Sequence, residues 1–186
     1  MAPSKHLVLV CGFARAGKDT FARGLKAGAT NHISNVAFAD SLKEALRNAA
    51  KDIGITANYH LDADKLQDRD LLVEFGRAMR RRHKDVFARN VTHNLATLSD
   101  DHTLVVTDWR YLNEYAVMKE ACDRMAISLH TVQIVRNGWN AANSEEAMSM
   151  QEIIDAVPFD ETVYAMSGDE ESVLLHGYRI AKLWKL

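Results

Sequence analysis

The chain has 186 residues, of which 47% are hydrophobic, a length that suits one full-sized domain better than two. Charged residues make up 26% of the chain and the formal net charge is -2, so no strong overall field would draw it to nucleic acid or to an anionic membrane. The two cysteines, Cys11 and Cys122, lack C-x-x-C spacing and are too few for a disulfide framework. We therefore expect one domain from a reducing compartment, without a nucleic-acid partner.

The first apolar run, residues 6–12 (HLVLVCG), predicts a strand that is buried on both faces and stops at a glycine. It is much shorter than the roughly 18 apolar residues of a membrane span. It also lacks the basic segment and the small-residue cleavage site of a secretion signal. No other apolar run approaches the length of a span, so we expect a cytoplasmic protein without a membrane partner.

Strand and helix patterns alternate along the rest of the chain. The apolar patterns predict further strands at residues 35–40, 102–108, 128–136 and 161–166. They predict helices at residues 18–26, 41–54, 111–125, 145–155 and 170–183, and two polar helices between residues 62 and 98. This alternation indicates an α/β domain, with a parallel sheet of about five strands flanked by helices. The domain would comprise a core of residues 1–54 and 100–186 and an all-helical insertion at residues 55–99.

The stretch CGFARAGKDT, residues 11–20, opens like a phosphate-binding loop, with Gly12, four residues, and then Gly17 and Lys18. It follows a buried strand and opens a helix, so main-chain N–H groups and the helix N-terminus can face a chain of phosphates. The two glycines allow the tight backbone path, and Lys18 would reach the β- and γ-phosphates as a mobile charge. The residues predicted to bind the phosphate chain are Gly12, Arg15, Ala16, Gly17, Lys18, Asp19 and Thr20.

Asp19 stands where such loops usually carry a serine or threonine, and the hydroxyl comes one residue later, at Thr20. A carboxylate in the first turn is favoured by the helix dipole and could hold magnesium, directly or through water. The alternative is a carboxylate that only stabilises the start of the helix. Thr20 can still donate to a phosphate oxygen, as in the G-K-x-T loops of nucleoside monophosphate kinases.

Two other places in the chain carry charges suited to phosphate chemistry. Asp108 ends a buried strand, where ligands collect in open α/β sheets, and could contact magnesium through water or hold Arg110. The stretch GRAMRRRHKD contains four arginines within two helical turns, and arginine forks fit phosphate oxygens. Because consecutive helical residues point in different directions, at most two of these arginines can face one site. A solvated basic face is the alternative.

Together, GFARAGKDT, FADSLKEALRNAA and VVTDWRYLNEYAVMK resemble the deoxynucleoside monophosphate kinases of bacteriophages. That family has G-x-x-x-x-G-K-D-T, F-A-x-x-L-K and D-x-R-x-x-N-E segments in the same order and at similar separations, and the resemblance covers residues 6–136. It implies a P-loop NTPase fold whose sheet holds ATP with Mg²⁺. It also implies that the 55–99 insertion receives a deoxynucleoside monophosphate, that a lid at about residues 137–156 closes over both, and that the protein works in the host cytoplasm.

The resemblance also implies roles for individual residues. Arg110 and Glu114 resemble an acceptor-binding pair, although i,i+4 spacing also fits an exposed salt bridge. Asp40 and Lys43 resemble acceptor-site residues, although Ser41-x-x-Glu44 would make a capping box. The acceptor-binding residues expected on this basis are Asp40, Lys43, Arg77, Arg80, Arg81, Arg110 and Glu114. The expected catalytic residues are Lys18, Asp108, Arg110 and Arg136, and the expected metal-binding residues are Asp19 and Asp108.

The reaction expected is therefore ATP-dependent phosphorylation of a deoxynucleoside monophosphate. Its acceptor phosphate loses its second proton at about pH 6, so no general base is needed at neutral pH. One alternative is a P-loop kinase of another small molecule with a hydroxyl acceptor, which would use Asp40 or Asp108 as base. Another is a nucleotide-switched binding module, although the chain lacks the N-K-x-D signature of a GTP switch. The preferred base, selection against a 2′-hydroxyl and the oligomeric state, including a homodimer, stay open.

Overall fold

A computed structural model describes residues 5–186. The strands are β1 (His6–Cys11), β2 (His32–Val36), β3 (His102–Val106), β4 (Ser128–Arg136) and β5 (Glu161–Ala165). The helices are α1 (Lys18–Gly28), α2 (Asp40–Asp52), α3 (Asp62–Gln67), α4 (Arg69–Arg82), α5 (Val86–Ala96), α6 (Leu112–Met125), α7 (Ser144–Ala156) and α8 (Glu170–Trp184). None of these helices is both long enough and apolar enough to cross a bilayer.

The strands form one parallel sheet in the order β2-β3-β1-β4-β5. The expected α/β fold with about five parallel strands is thus confirmed. Because all strands run the same way, the segments that follow β1, β3 and β4 leave the sheet at one edge. This edge is where ligands bind in open α/β sheets, and the chain reverses its strand order between β1 and β3.

Hydrophobic side chains fill both faces of the sheet, as the continuous apolar pattern of β1 predicts. Leu7 and Leu9 pack in one cluster with residues of α2, α5 and α6, whereas Val8 and Val10 pack in the other with residues of α1 and α8. Successive side chains of a strand point to opposite faces, so β1 contributes to both clusters. The buried β1 thereby holds the loop that follows it in a fixed place.

The second strand lies earlier than the sequence pattern predicts. The apolar residues 35–40 suggested a strand there, but β2 spans His32–Val36 and the chain enters α2 at Asp40. The register with β3 explains the difference, because β2 pairs residue by residue with β3 from His102 to Val106 and β3 ends there. Phe38 is buried in the core without belonging to the sheet.

The helical segment between residues 62 and 98 contains three helices, where the sequence predicted two. A short α3 ends at Gln67, and α4 begins at Arg69. Between them Asp68 accepts a hydrogen bond from the buried Tyr59 hydroxyl at 3.1 Å, which fixes the break between the two helices. The predicted Ser41–Glu44 capping box is wrong, because α2 begins one residue earlier, at Asp40, and the buried Ser41 Oγ has no hydrogen-bond partner.

Candidate active site

The loop between β1 and α1 has the backbone that a phosphate cradle requires. Gly12 has φ 144° and Gly17 has φ 107°, values that residues with a Cβ rarely adopt. A Cβ on Gly12 would also lie 2.5 Å from the carbonyl oxygen of Ile134 in β4. Arg15 has φ 62°, a left-handed conformation that is strained for a non-glycine residue and is typical of functional loops.

Lys18 is folded back over this loop. Its Nζ donates to the carbonyl oxygens of Gly12 at 2.8 Å and Phe13 at 2.9 Å. Burial, followed by the nearby Arg110, lowers the pKa of Lys18, while Asp19, Glu146 and Cys11 act in the opposite direction. The ammonium group therefore lies on the concave side of the loop. A phosphate bound there would replace its two carbonyl contacts.

Asp19 and Thr20 point in different directions from the first turn of α1. Asp19 is exposed, and its Oδ1 accepts a hydrogen bond from the Thr107 hydroxyl at 2.7 Å, just past the end of β3. Thr20 Oγ1 accepts a hydrogen bond from Arg23 Nη2 at 3.1 Å. The carboxylate of Asp19 thus faces the space between the loop and β3.

A first cavity of about 290 Å³, which we call the donor cavity after the ligand expected there, lies between the loop and the start of α8. The predicted residues Arg15 to Thr20 line it, together with Arg136 at the end of β4, whereas the predicted Gly12 does not. Arg136 donates to the carbonyl oxygen of Arg15 at 2.8 Å, and its guanidinium lies 4.4 Å from the centre of the Trp139 ring. Arg136 therefore faces the side of the loop where the donor cavity lies.

A second cavity of about 590 Å³, the acceptor cavity, lies between the loop, α2, α4, the turn after β3 and the start of α7. Three residues of the loop region, Arg15, Lys18 and Asp19, line both cavities. Cationic side chains from the other elements also line the acceptor cavity: Lys43, Lys65, Arg69, Arg77, Arg80 and Arg110. The loop is therefore a wall between two cavities, and cations outnumber carboxylates in the larger one, whose lining also contains Asp19, Asp108, Glu114, Glu145 and Glu146.

The predicted carboxylates Asp108 and Asp40 are both held by main-chain amides. Asp108 accepts from the N–H groups of Phe38 at 2.9 Å and Ala39 at 3.0 Å, so it ties the end of β3 to the start of α2. Burial raises the pKa of Asp108, and the two N–H groups oppose that rise. Asp40 accepts from the N–H of Ala37 at 2.8 Å and from Lys43 Nζ at 3.0 Å. Asp108 lines the acceptor cavity, whereas Asp40 is not part of its lining.

Glu114 is almost completely buried and lines the acceptor cavity. Its Oε2 accepts hydrogen bonds from the main-chain N–H groups of Arg110 at 3.0 Å and Tyr111 at 3.1 Å. Burial raises the pKa of Glu114 to about 7, against the effect of the N–H of Arg110. The alternative of an exposed salt bridge with Arg110 is therefore wrong, because Glu114 is buried and bonds to main-chain amides.

The arginines of α4 divide between the cavity and solvent. The Arg80 guanidinium lies 4.4 Å from the centre of the Tyr111 ring and 4.9 Å from that of Phe87. Arg77 lines the cavity but is bound to carboxylates, and Arg81 is exposed and outside the lining. Two of the three predicted arginines of α4 thus reach the acceptor cavity, in keeping with the helical spacing.

Several lining residues were missed in the sequence. Arg69 shares a face of α4 with Arg77 and Arg80, so helical spacing could have identified it. Glu145 and Glu146 in the first turn of α7 also line the acceptor cavity. Glu145 contacts Arg77, 68 positions away, and Glu146 contacts Ala14, 132 positions away, and no local pattern in the sequence indicates those partners.

No protein-family model and no curated protein matches the chain. Solved structures do match over nearly the whole length. An APS kinase from Mycobacterium tuberculosis, in a cysteine-to-alanine mutant form, has 15% identity and a TM-score of 0.53, covering 99% of both chains. The same kinase in complex with AMPPNP and APS has 12% identity and a TM-score of 0.51, also covering 99% of both chains. A candidate kinase from Chloroflexus aurantiacus has 11% identity and a TM-score of 0.50, with 97% of this chain and 98% of that chain covered. The chain therefore has the P-loop NTPase fold.

Proposed function

We propose that the chain is a kinase that transfers the γ-phosphoryl group of ATP to a deoxynucleoside monophosphate. The observation that carries this proposal is the shared wall between the two cavities, which Lys18 and Asp19 line on both sides. A phosphoryl group held by the loop would face the acceptor cavity directly, which is the positioning that phosphoryl transfer requires. The preference for a deoxy sugar rests on the resemblance to the bacteriophage kinases.

The charge of the acceptor cavity supports an acceptor that carries a phosphate. Its volume of about 590 Å³ suits a nucleotide, and cations from α2, α3, α4 and the turn after β3 line it. Arg80 and Arg110 approach from different elements, so they could hold two sides of one phosphate. On this proposal the helical insertion of residues 55–99 binds the acceptor, and residues 137–156 form the lid.

In the proposed reaction the protein acts by positioning and by neutralising charge. The N–H groups of the loop would hold the donor phosphates, and Lys18 would leave its two carbonyl contacts to follow the transferring group. Arg110 would hold the acceptor phosphate, and Arg136 would neutralise charge on the donor side. Asp108 would keep the start of α2 against β3 through its two main-chain contacts.

The residues of the loop fit a magnesium ion held mainly by the substrate. Mg²⁺ in kinase sites is bound through one or two carboxylates together with phosphates and waters. The exposed Asp19 faces the gap between the loop and β3, so its carboxylate is the group that would hold the ion. Asp108 would contribute only through water, because both of its oxygens accept main-chain N–H groups. The ion would neutralise negative charge on the donor phosphates.

A hydroxyl acceptor is the second candidate, and one observation favours it. Glu114 lines the acceptor cavity and has its pKa raised to about 7, chiefly by burial, which would suit a general base. The APS kinase with similar fold was also solved with AMPPNP and APS. Against this candidate, Glu114 accepts two main-chain N–H groups at the start of α6, and the bases expected from sequence, Asp40 and Asp108, are likewise engaged by main-chain amides.

Replacing Arg110 tests the phosphate acceptor. Arg110→Ala should raise the KM for the acceptor, or lower kcat, by about tenfold or more, because its charge would meet the acceptor phosphate. The Kd for ATP should change by less than about twofold. Arg81→Ala is the matched control, since Arg81 is exposed and outside the cavity, and it should leave both constants unchanged. Equal losses in ATP and acceptor affinity for Arg110→Ala would contradict the assignment.

A further inference from the structure

The first turn of α7 brings two carboxylates into the acceptor cavity, and one of them reaches the phosphate-binding loop. Glu146 Oε1 accepts a hydrogen bond from the main-chain N–H of Ala14, inside the phosphate-binding loop, at 2.9 Å. Its Oε2 accepts from the N–H of Ala142 at 2.7 Å. An N–H group of this loop is the kind of donor that binds phosphate oxygens, so Glu146 holds a group that the donor phosphates would use.

Glu145 makes the corresponding contacts on the acceptor side. Its Oε2 accepts from Arg77 Nη2 at 2.6 Å and from Arg77 Nε at 3.2 Å, a two-point contact on a guanidinium that lines the acceptor cavity. Its Oε1 accepts from the Tyr111 hydroxyl at 2.8 Å. The hydrogen bonds from Arg77, and to a smaller extent the one from Tyr111, lower the pKa of Glu145. This carboxylate is therefore charged at neutral pH.

The connection between β4 and α7 joins these contacts to the loop. Trp139 Nε1 donates to the carbonyl oxygen of Ala14 at 2.8 Å, which places a second contact on the same loop residue. Asn143 caps α7 by accepting from the N–H of Glu146 at 2.9 Å. The carboxylate of Glu146 therefore reaches the loop from a helix end that is itself held in place.

These contacts are incompatible with bound phosphates. A polyphosphate on the loop would bring negative charge against Glu146, and a monophosphate on Arg77 would do the same against Glu145. We propose that Glu145 and Glu146 are placeholders that are displaced when the two phosphates bind: Glu145 occupies the acceptor phosphate site, and Glu146, from the acceptor side of the loop, occupies a loop N–H group at the end of the donor phosphate chain. This regulation rests on the proposed function, because it takes the two cavities as the donor and acceptor sites.

Charge-neutral variants of the two glutamates test the proposal by equilibrium binding. Glu146→Gln keeps the size of the side chain but removes the charge, so the Kd for ATP should fall by about fivefold and by clearly more than the Kd for a deoxynucleoside monophosphate. Glu145→Gln should show the opposite pattern. Glu152→Gln, an exposed position on the same helix, is the control and should change neither constant. Unchanged or weaker ATP binding by Glu146→Gln would overturn the donor half, and unchanged or weaker monophosphate binding by Glu145→Gln would overturn the acceptor half.

Hydrogen exchange on the unaltered chain gives a second test that does not depend on any variant. Displacement of Glu146 removes the acceptor of the Ala142 amide, so ATP should speed exchange at Ala142, although bound ligands usually slow exchange. Slower or unchanged exchange there would overturn the proposal. Both measurements report binding and not transfer. A chain that binds ATP but phosphorylates no nucleotide would therefore contradict the proposed function without contradicting the role of Glu146.

Discussion

Asp19 is the residue at which the sequence departs from the usual phosphate-binding loop, and its role has two interpretations. It lies in the first turn of α1, after the N-cap Gly17. Its carboxylate accepts from Thr107 and faces the gap next to both cavities. Its place in the first turn of α1 also suits the helix dipole, so the magnesium and helix-start interpretations both fit this position.

Removing the charge of Asp19 separates these two interpretations. Asp19→Asn should raise the Mg²⁺ concentration needed for half-maximal transfer by about tenfold, since a neutral amide is a weaker magnesium ligand. Thr107→Val is the control, because it removes the hydrogen bond to Asp19 and keeps the charge. A magnesium titration of both variants gives the answer. If both variants raise the required Mg²⁺ concentration equally, the hydrogen bond from Thr107 accounts for the effect and the charge of Asp19 does not.

At the scale of single residues, spacing in the sequence identified the loop but not its partners. Gly12, Gly17 and Lys18 lie at the fixed separations that a phosphate cradle requires, so they could be recognised from sequence. Glu146 contacts Ala14 across 132 positions, and such a contact has no local signal. The proposed placement of Arg81 at the acceptor finds no support in the cavity lining, because consecutive helical residues cannot all face one side.

At the scale of elements, the contact between α1 and α8 holds the helix that carries the loop. The two helices touch through their main chains at glycines, so that a Cβ on Gly24 would lie 2.1 Å from the carbonyl oxygen of Leu174. A Cβ on Gly177 would lie 2.3 Å from that of Phe21. The position of α1, and with it the orientation of Lys18, therefore depends on the two glycines Gly24 and Gly177.

Alanine at Gly24 should destabilise the fold. Alanine is favoured over glycine inside a helix by about 1 kcal/mol, but overpacking costs about 1–3 kcal/mol, and here the obstacle is main chain that cannot rotate away. The overpacking cost less the helix gain leaves a fall of up to about 2 kcal/mol in the free energy of unfolding, which urea titrations measure. Lys26→Ala, at an exposed position of α1, should have a much smaller effect. Equal stability of the two variants would contradict the close contact of the helices.

The helices and strands were predictable where a single hydrophobic pattern marks the whole element. Strands buried on both faces show as continuous apolar runs, and β1, β3, β4 and β5 lie within one or two residues of the predicted positions. The position of β2 was not predictable, since the run Val36-Ala37-Phe38-Ala39 stays apolar beyond the last residue that β3 can pair with. The break at Asp68 depends on a hydrogen bond from Tyr59, which no local pattern indicates.

At the scale of the whole molecule, stability should depend on pH through histidines at the end of the sheet opposite the site. His130 Nε2 lies 3.1 Å from His6 Nδ1, and its ring stacks on Trp184 with centres 4.2 Å apart. Burial, helped by His6 and opposed by Asp160, lowers the pKa of His130 from 6.5 to about 4. The folded chain therefore holds this histidine neutral at pH values where the unfolded chain would protonate it.

The sign of the effect follows from that shift. Between pH 6.5 and about 4 the unfolded state binds more protons at His130 than the folded state, so the free energy of unfolding should fall as the pH falls through this range. Allowing for partial exposure of the ring, we expect a loss on the order of 1–2 kcal/mol. Urea titrations at pH 7.5 and pH 5 measure it, and His130→Gln should flatten the dependence. An equally steep dependence in that variant would assign the effect to other groups.

The account as a whole depends on the acceptor, and a panel of acceptors assayed by ADP release tests it most directly. The panel contains deoxynucleoside monophosphates, ribonucleoside monophosphates and hydroxyl acceptors, each with ATP and Mg²⁺, and Lys18→Ala serves as the inactive reference, with a loss of about 100-fold or more. We predict transfer to at least one deoxynucleoside monophosphate, faster than to its ribonucleotide counterpart. Equal rates on both sugars would contradict the deoxy preference, and release of ADP only with hydroxyl acceptors would contradict the central claim.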